Sequence, residues 1–389
     1  MIAALAWTMA LCMALPALVL AIECAVGACR SLPVPADEPA SPCIVLMPAH
    51  DEAQGIALAV SSVLAQLRAG DELVVVADNC TDDTAAIARS LGATVIERSD
   101  STLRGKGYAL EYGRAFIERQ RAEAAFAVVI VIDADCLPKP GAISALAAAT
   151  ERKQAVVQGA YLMEPPADAD AVVRVSCFAF LVKNLVRQLA LDWLAGAALL
   201  QGSGMAFPRA VFARMRWSAA SLVEDLDMGM DLLLAGQAVR FEPAAGFVSA
   251  ASSARGTAGQ RRRWEHGMLQ SAQRFVPRLI GAGIAGRPRL LFVALDLLVP
   301  PTVLLIVLLL AVTAALALIV GLEGPTLALL ATGLALALCL GAAWWRHGRA
   351  MLPLASIGRI PGYVLWKLPL LLQFVTRRER NWIRTERGP

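Results

Sequence analysis

Val128-Val129-Ile130-Val131-Ile132-Asp133-Ala134-Asp135-Cys136 is the stretch on which the fold turns. Its five consecutive β-branched residues suit a strand buried on both faces, as in the middle of a parallel sheet. The strand is expected to stop where polarity returns, on two aspartates one residue apart. In an open α/β sheet the carboxyl end of a central strand opens into the ligand crevice. Two carboxylates there are costly unless a cation or a set of donors compensates them. The plainer alternative is that Asp133 and Asp135 cap a helix that follows Pro138 and Pro140.

Working back toward the N-terminus, Cys43 to Met47 reads as a short strand broken by Pro48. The polar loop Pro48-Ala49-His50-Asp51-Glu52 feeds a helix to about Leu67. A second strand, Leu73 to Ala77, ends on Asp78-Asn79-Cys80-Thr81-Asp82-Asp83, a turn cluster before a helix that Gly92 closes. Thr94 to Glu97 is a third strand, and Arg104-Gly105-Lys106-Gly107 opens a further helix. Strand and helix alternate at short intervals, so the class is α/β with a mostly parallel, right-handed sheet. No strand is followed by G-x-G-x-x-G or by G-x-x-x-x-G-K-[ST], which removes the dinucleotide and P-loop readings. The strands end in acid instead: Glu52, Asp78, Asp133 and Asp135, all expected at one edge. That convergence favours a site that binds a metal and hydrogen-bonds a hydroxyl-rich ligand.

Beyond the central strand, Ser221 to Asp227 begins a helix that runs through Leu234 to Gly236. Ser221 with Glu224 fits a capping box, which explains Glu224 structurally. Asp225 and Asp227 lie outside that explanation, although acids in a first helical turn are common on dipole grounds. Farther on, Gln260, Arg263 and Trp264 share a helix face at i, i+3, i+4. An amide, a guanidinium and an indole there suit a stacked sugar and a bound phosphate. The competing reading is an interfacial helix with snorkelling arginines.

The 389-residue chain is 57% hydrophobic and 17% charged, too apolar for an ordinary globular protein. The excess lies at the ends. Met1 to Ile22 carries no charged side chain and is long enough to cross a hydrocarbon core of about 30 Å. It lacks a basic n-region and an A-x-A site, so a retained anchor over 1–26 is expected rather than a signal peptide. Residues 31–42 form a Pro-rich linker. Leu297 to Leu322 and Thr326 to Trp345 read as two further spans joined by Glu323-Gly324-Pro325. Arg274, Arg278, Arg287 and Arg289 precede the pair, and Arg346 and Arg349 follow it, so the positive-inside rule puts both flanks and the soluble part in the cytoplasm. Pro361 to Val375, interrupted by Lys367 and Pro369, reads as interfacial or re-entrant. The net charge of +4 suits an anionic membrane surface or phosphate. No dense basic run interleaved with aromatics points to nucleic acid. The eight cysteines form no CxxC pair, so free thiols in a reducing compartment and no structural zinc are expected.

In order, Pro48-Ala49-His50-Asp51-Glu52, Asp78-Asn79-Cys80-Thr81-Asp82, Gly105-Lys106-Gly107, Asp133-Ala134-Asp135, Gly202-Ser203-Gly204-Met205, Glu224-Asp225 and Gln260-x-x-Arg263-Trp264 resemble the membrane-embedded family 2 glycosyltransferases. That group includes cellulose, chitin-oligosaccharide and hyaluronan synthases. The resemblance spans residues 43 to 270. It implies a GT-A-type, mostly parallel sheet with flanking helices over 43–270, in the cytoplasm. Interfacial helices and C-terminal transmembrane segments would fill 271–389, in a bacterial inner membrane.

The resemblance further implies a nucleotide-sugar donor, most often a UDP-sugar, and Mg²⁺ or Mn²⁺. Asp135 and Asp133 would take the metal, and Pro48, Glu52, Asp78, Lys106, Asp133 and Arg263 the donor. Gly204, Glu224, Gln260 and Trp264 would face the acceptor, with Asp225 the catalytic base of an inverting transfer. Two positions depart from the family pattern: Ala77-Asp78 stands where a double aspartate is usual, and Val223 stands where many relatives have Thr. The expected product is an exopolysaccharide or oligosaccharide. The alternatives are one sugar moved to a lipid-linked acceptor, or a non-catalytic nucleotide-binding subunit of an export complex. Membrane lipids and an export partner or homo-oligomer complete the expected partners.

Overall fold

The computed structural model describes residues 1–35, 40–217, 223–251, 254–360 and 362, except the side chains of 254–263. The expectations for Ser221 and, apart from residue 362, for the 361–375 segment lie outside the described residues. In chain order the structure begins α1 (Ile2–Ala28), β1 (Cys43–Ala49), α2 (Ile56–Leu64), β2 (Glu72–Asp78), α3 (Thr84–Ser90), β3 (Thr94–Arg98) and α4 (Lys106–Gln120). It continues β4 (Val128–Val131), β5 (Cys136–Pro138), α5 (Ala142–Lys153), β6 (Val156–Glu164), α6 (Ala171–Leu181), a π-helical turn over Val182–Val186 and α7 (Arg187–Ala195). Then come β7 (Met205–Pro208), α8 (Arg209–Arg214), α9 (Glu224–Leu234), β8 (Val239–Ala250), α10 (Ala254–Ile284), α11 (Arg289–Leu298), α12 (Thr302–Val320), α13 (Gly324–Ala343), a second π turn over Trp344–Gly348 and α14 (Leu354–Ile357). Two compact units emerge: Leu32–Glu164 with Gly196–Ala250, and Met1–Ser31 with Pro165–Ala195 and Ala251–Pro389.

The first unit is an α/β layer around an eight-stranded sheet of order β3-β2-β1-β4-β7-β6-β8-β5. β3, β2, β1 and β4 run parallel, and β7 lies antiparallel between β4 and β6. β1 and β4 are buried at every residue, and β2 at every residue after its first, which is why their sequences are unbroken apolar runs. Pro48 does not end β1, against the expectation. The Leu46 carbonyl accepts from Ile132 N–H toward β4. Two residues on, Pro48 faces the same side, beyond the last residue of β4, where a missing N–H costs no ladder bond. Helix α2 stops at Leu64, short of Leu67.

The second unit is helical, and among its described residues three helices are long and apolar enough to cross a membrane: Ile2–Ala28, Thr302–Val320 and Gly324–Gly348. The expected span from Leu297 is broken. Val299 is extended (φ −71°, ψ 110°), because a residue ahead of a proline is pushed out of the helical region. Pro300 and Pro301 therefore separate α11 from α12. The unit also holds an ion network that the sequence does not announce. Arg187 Nε donates to Glu23 Oε2 at 2.8 Å, and its Nη2 donates to Asp296 Oδ1 at 2.8 Å and to the Asp296 carbonyl at 2.7 Å. One guanidinium thus joins α1, α7 and α11. One turn along α1 from Glu23, a β-carbon on Gly27 would fall 2.3 Å from the Val186 carbonyl oxygen. The helix approaches the first π turn at a distance only glycine permits. All eight cysteines are free.

Candidate active site

β4 delivers Asp133 and Asp135 to the carboxyl edge of the parallel strands. Ile132 N–H still bonds β1, and Cys136 N–H turns back onto the Asp133 carbonyl at 3.0 Å. Both aspartates are partly exposed. Lys106 is the first residue of α4, and its ammonium contacts Asp133 Oδ1. The same ammonium donates to the Gly202 carbonyl at 2.7 Å. A β-carbon at Gly202 (φ +89°) would lie 3.1 Å from Asp225 Oδ2 and 3.5 Å from Lys106 Nζ. The structure therefore brings together Lys106, Asp133, the Gly202–Gly204 segment and Asp225, from four separate parts of the sequence. Glu224 and Asp225 open α9, with Asp227 in the same first turn.

The segment carrying Gly202 is stitched into the sheet. Gln201 N–H donates to Gln158 Oε1 at 2.8 Å, and Gln158 Nε2 donates to the Ser203 carbonyl at 2.9 Å. Gly204 N–H reaches the Val131 carbonyl at 2.9 Å, and Gly159 N–H reaches the Gly204 carbonyl at 2.8 Å. Asp133 N–H donates to Ser203 Oγ at 3.1 Å. Gly204 (φ +66°) lies directly against the Phe247 ring. Ser203 stands in the Gly202–Met205 motif quoted from the sequence without a role of its own, and Gln158 is a residue that sequence reasoning missed. The available signal was one amide inside an apolar strand, and Gln158 is fully buried.

Electrostatically the cluster has more acid than base. Lys106 contacts Asp133 and feels the charges of Glu224 and Asp225, while Asp135 acts on Asp133. Burial pushes the Asp133 carboxyl up, Lys106 opposes that, and the charge of Asp135 adds to it. Burial also works against the Lys106 ammonium, but Asp133, Glu224 and Asp225 outweigh it and hold its pKa above the usual value. Burial, then the neighbouring Asp225 carboxylate, pushes Glu224 up to about 7. Carboxylate oxygens at a strand end are the donor chemistry of a hard divalent cation. The ammonium already drawn onto Asp133 shows that the position attracts positive charge.

Asp78 lies two strands away along the same edge, about 10 Å at the usual strand spacing. It is 5% exposed. Arg98 Nη1 donates to its Oδ1 at 2.5 Å, and Asn79 Nδ2 donates to the same oxygen at 3.1 Å. Arg98 also donates to the Leu103 carbonyl at 2.7 Å and stacks over the Tyr108 ring at 5.7 Å. Arg98, at the end of β3, is a second edge residue that sequence reasoning missed. Nearby, the loops after β1 and β2 interlock. His50 Nδ1 contacts the Asp78 carbonyl at 2.7 Å, Thr81 N–H donates to Asp51 Oδ1 at 2.6 Å, and Glu52 N–H donates to Thr84 Oγ1 at 2.7 Å. Asp51, Cys80 and Asp82 have ligand atoms within 4.8 Å of one another. Asp82 accepts from Ala53 N–H and from Thr84, so this cluster is a clasp between loops. Pro48 lies within β1.

Of the Gln260–Trp264 set, Trp264 is partly exposed and packs on Phe180 with ring centroids 5.6 Å apart. The side chains of Gln260 and Arg263 lie outside the described residues.

The family model described as "Glycosyltransferase like family 2" matches residues 39–267. No curated protein sequence matches the chain. Among solved structures, the mannosyltransferase PcManGT from Pyrobaculum calidifontis, in complex with GDP-Man and Mn²⁺, is similar at 21% identity and a TM-score of 0.58. The match covers 93% of this chain and 99% of that one. A glucosyl-3-phosphoglycerate synthase from Mycobacterium tuberculosis, with Mn²⁺, UDP and its product, matches 59% of this chain and 80% of that one. Its identity is 20% and its TM-score 0.40.

Proposed function

The chain belongs to the family 2 glycosyltransferases, and on that premise we propose an inverting, metal-dependent membrane enzyme that moves a sugar from a nucleotide sugar to a growing exopolysaccharide or oligosaccharide. The observation that carries the reading is the convergence of Lys106, Asp133 and Asp225 on Gly202. Asp133 and Asp135 would hold Mg²⁺ or Mn²⁺, which when bound neutralises charge on the donor diphosphate. Lys106 binds the same diphosphate as a point charge. Asp225 accepts the proton of the acceptor hydroxyl. The acceptor oxygen forms its bond to the anomeric carbon while the bond to the diphosphate oxygen breaks, and the electron pair leaves on the diphosphate. Arg98 and Asp78 take the nucleoside end along the edge, with Pro48 and Glu52 beside them. Gly204 and Glu224 would serve the acceptor side; the acceptor roles of Gln260 and Trp264 and the diphosphate role of Arg263 rest on the family resemblance.

Three apolar helices and the arginines flanking the C-terminal pair support an inner-membrane enzyme with its catalytic unit in the cytoplasm. The three spans among the described residues are few for a self-sufficient polymer channel. That favours, as a second reading, one sugar moved to a lipid-linked acceptor, or a partner or second copy that completes a conduit. The test is a panel of UDP-sugars and GDP-mannose with Mn²⁺ or Mg²⁺, scored by nucleoside diphosphate release from the full chain in detergent. One or two donors should turn over, and only with the cation. Release that is equal with chelator, or absent for every donor, contradicts the reading.

A further inference from the structure

Lys106 occupies the middle of the acidic cluster with two of its three ammonium donors committed, one to Asp133 and one to the Gly202 carbonyl. We propose that Lys106 is the resident counter-cation of the donor site. In the free protein it latches the Gly202 end of the Gln201–Gly204 segment to Asp133. With cation and nucleotide bound, Asp133 would be taken by the cation, and Lys106 would exchange Asp133 for the diphosphate and so release the latch. This deepens the donor-site reading above and rests on it.

Three observations support the latch. First, the Lys106 ammonium lies against the very carboxylate assigned to the metal, and a dication and an ammonium on one carboxylate oxygen repel strongly at that range. Second, the other bonds of the segment lie on Gln201, Ser203 and Gly204, so the lysine bond is the one shown on the Gly202 carbonyl. Its loss frees that end without unpicking the rest. Third, about a quarter of each side chain, Lys106 and Asp133, is open to solvent (25% each). A compact charge on a flexible four-carbon stem can then change partners, as a fork-shaped guanidinium would not. Because Asp225 flanks Gly202, the latch also couples donor loading to the base and acceptor side.

The experiment titrates Mn²⁺ into the full chain in detergent, followed by the loss of the free-ion paramagnetic signal, with and without UDP or GDP. Lys106→Met should bind nucleotide-free Mn²⁺ about tenfold more tightly than wild type, since a repelling charge is gone. The gap should close once a nucleotide is added, and Lys106→Arg should remain weak. On the wild type alone, cyanate labelling of Lys106 read by mass spectrometry should speed up with Mn²⁺ and slow again with Mn²⁺ and nucleotide. That measurement needs no variant to fold. Equal nucleotide-free affinities, together with labelling that Mn²⁺ does not change, would overturn the latch and leave the donor site standing. Failure of wild type and variant to bind Mn²⁺ with either nucleotide would remove the donor site and the latch together.

Discussion

Arg187 meets Glu23 and Asp296 with no more than 5% of any of the three side chains exposed, whereas Lys106 meets Asp133 with a quarter of each open. The ingredients match: one cation among carboxylates drawn from distant parts of the chain. The surroundings do not. Around Arg187 the guanidinium spends its fork on two side chains and a carbonyl, and removing one member strands a buried charge. Around Lys106 the carboxylates outnumber the cation as they do around Arg187, but here a quarter of each side chain is open and the edge of the sheet lets another ligand enter. A closed network holds helices together. An open one with surplus charge of one sign is built to exchange partners.

The sharpest way to break that comparison is to cut each cluster once. Asp135→Ala should lower sugar transfer by on the order of 10³-fold, the several kcal/mol that a bound cation supplies, while the unfolding midpoint in detergent stays close to wild type. Arg187→Met should do the reverse in kind. Leaving Glu23 and Asp296 buried without their partner costs about 3–5 kcal/mol, read as a large drop in the thermal midpoint and in folded yield. Glu23→Gln keeps an acceptor for the Arg187 Nε and removes the second carboxylate, so its loss should be clearly smaller. If Arg187→Met proved as stable as wild type, the contrast between the clusters would fail.

The placement of several candidate residues was legible because local pattern carried it. The β-branched run stops at Asp133, Gly105 and Lys106 open a helix, and Glu224 and Asp225 stand in a first turn. The unbroken apolar strands likewise gave away the parallel part of the sheet. What escaped was pairing over long separations. Arg187 lies 164 residues from Glu23 and 109 from Asp296, and no spacing rule joins them. Arg98 lies one residue beyond the expected third strand, and nothing local pairs it with Asp78, 20 residues away. The break at Pro300 and Pro301 was visible in the letters but was hidden by the surrounding hydrophobicity.

A subtler outcome concerns pH. Glu224 is held up to about 7 in the fold, against an ordinary value of 4.5. Between those values the folded chain carries a proton that the unfolded chain has released. Stability contributed by this group therefore falls as pH rises from about 4.5 to about 7, and is level above. Glu224→Gln, which cannot ionise, should match wild type near pH 5 and exceed it at pH 8, by on the order of 2 °C in midpoint. A gap that stayed constant with pH would put Glu224 outside the charged cluster.

The whole account depends on Asp225 acting as the proton acceptor beside a donor held by Asp133 and Lys106. Single-turnover transfer from pre-bound donor, comparing wild type with Asp225→Asn, addresses this directly. The substitution should leave donor affinity unchanged and slow transfer about 10²–10⁴-fold. Transfer at the wild-type rate, with donor bound equally, would contradict it.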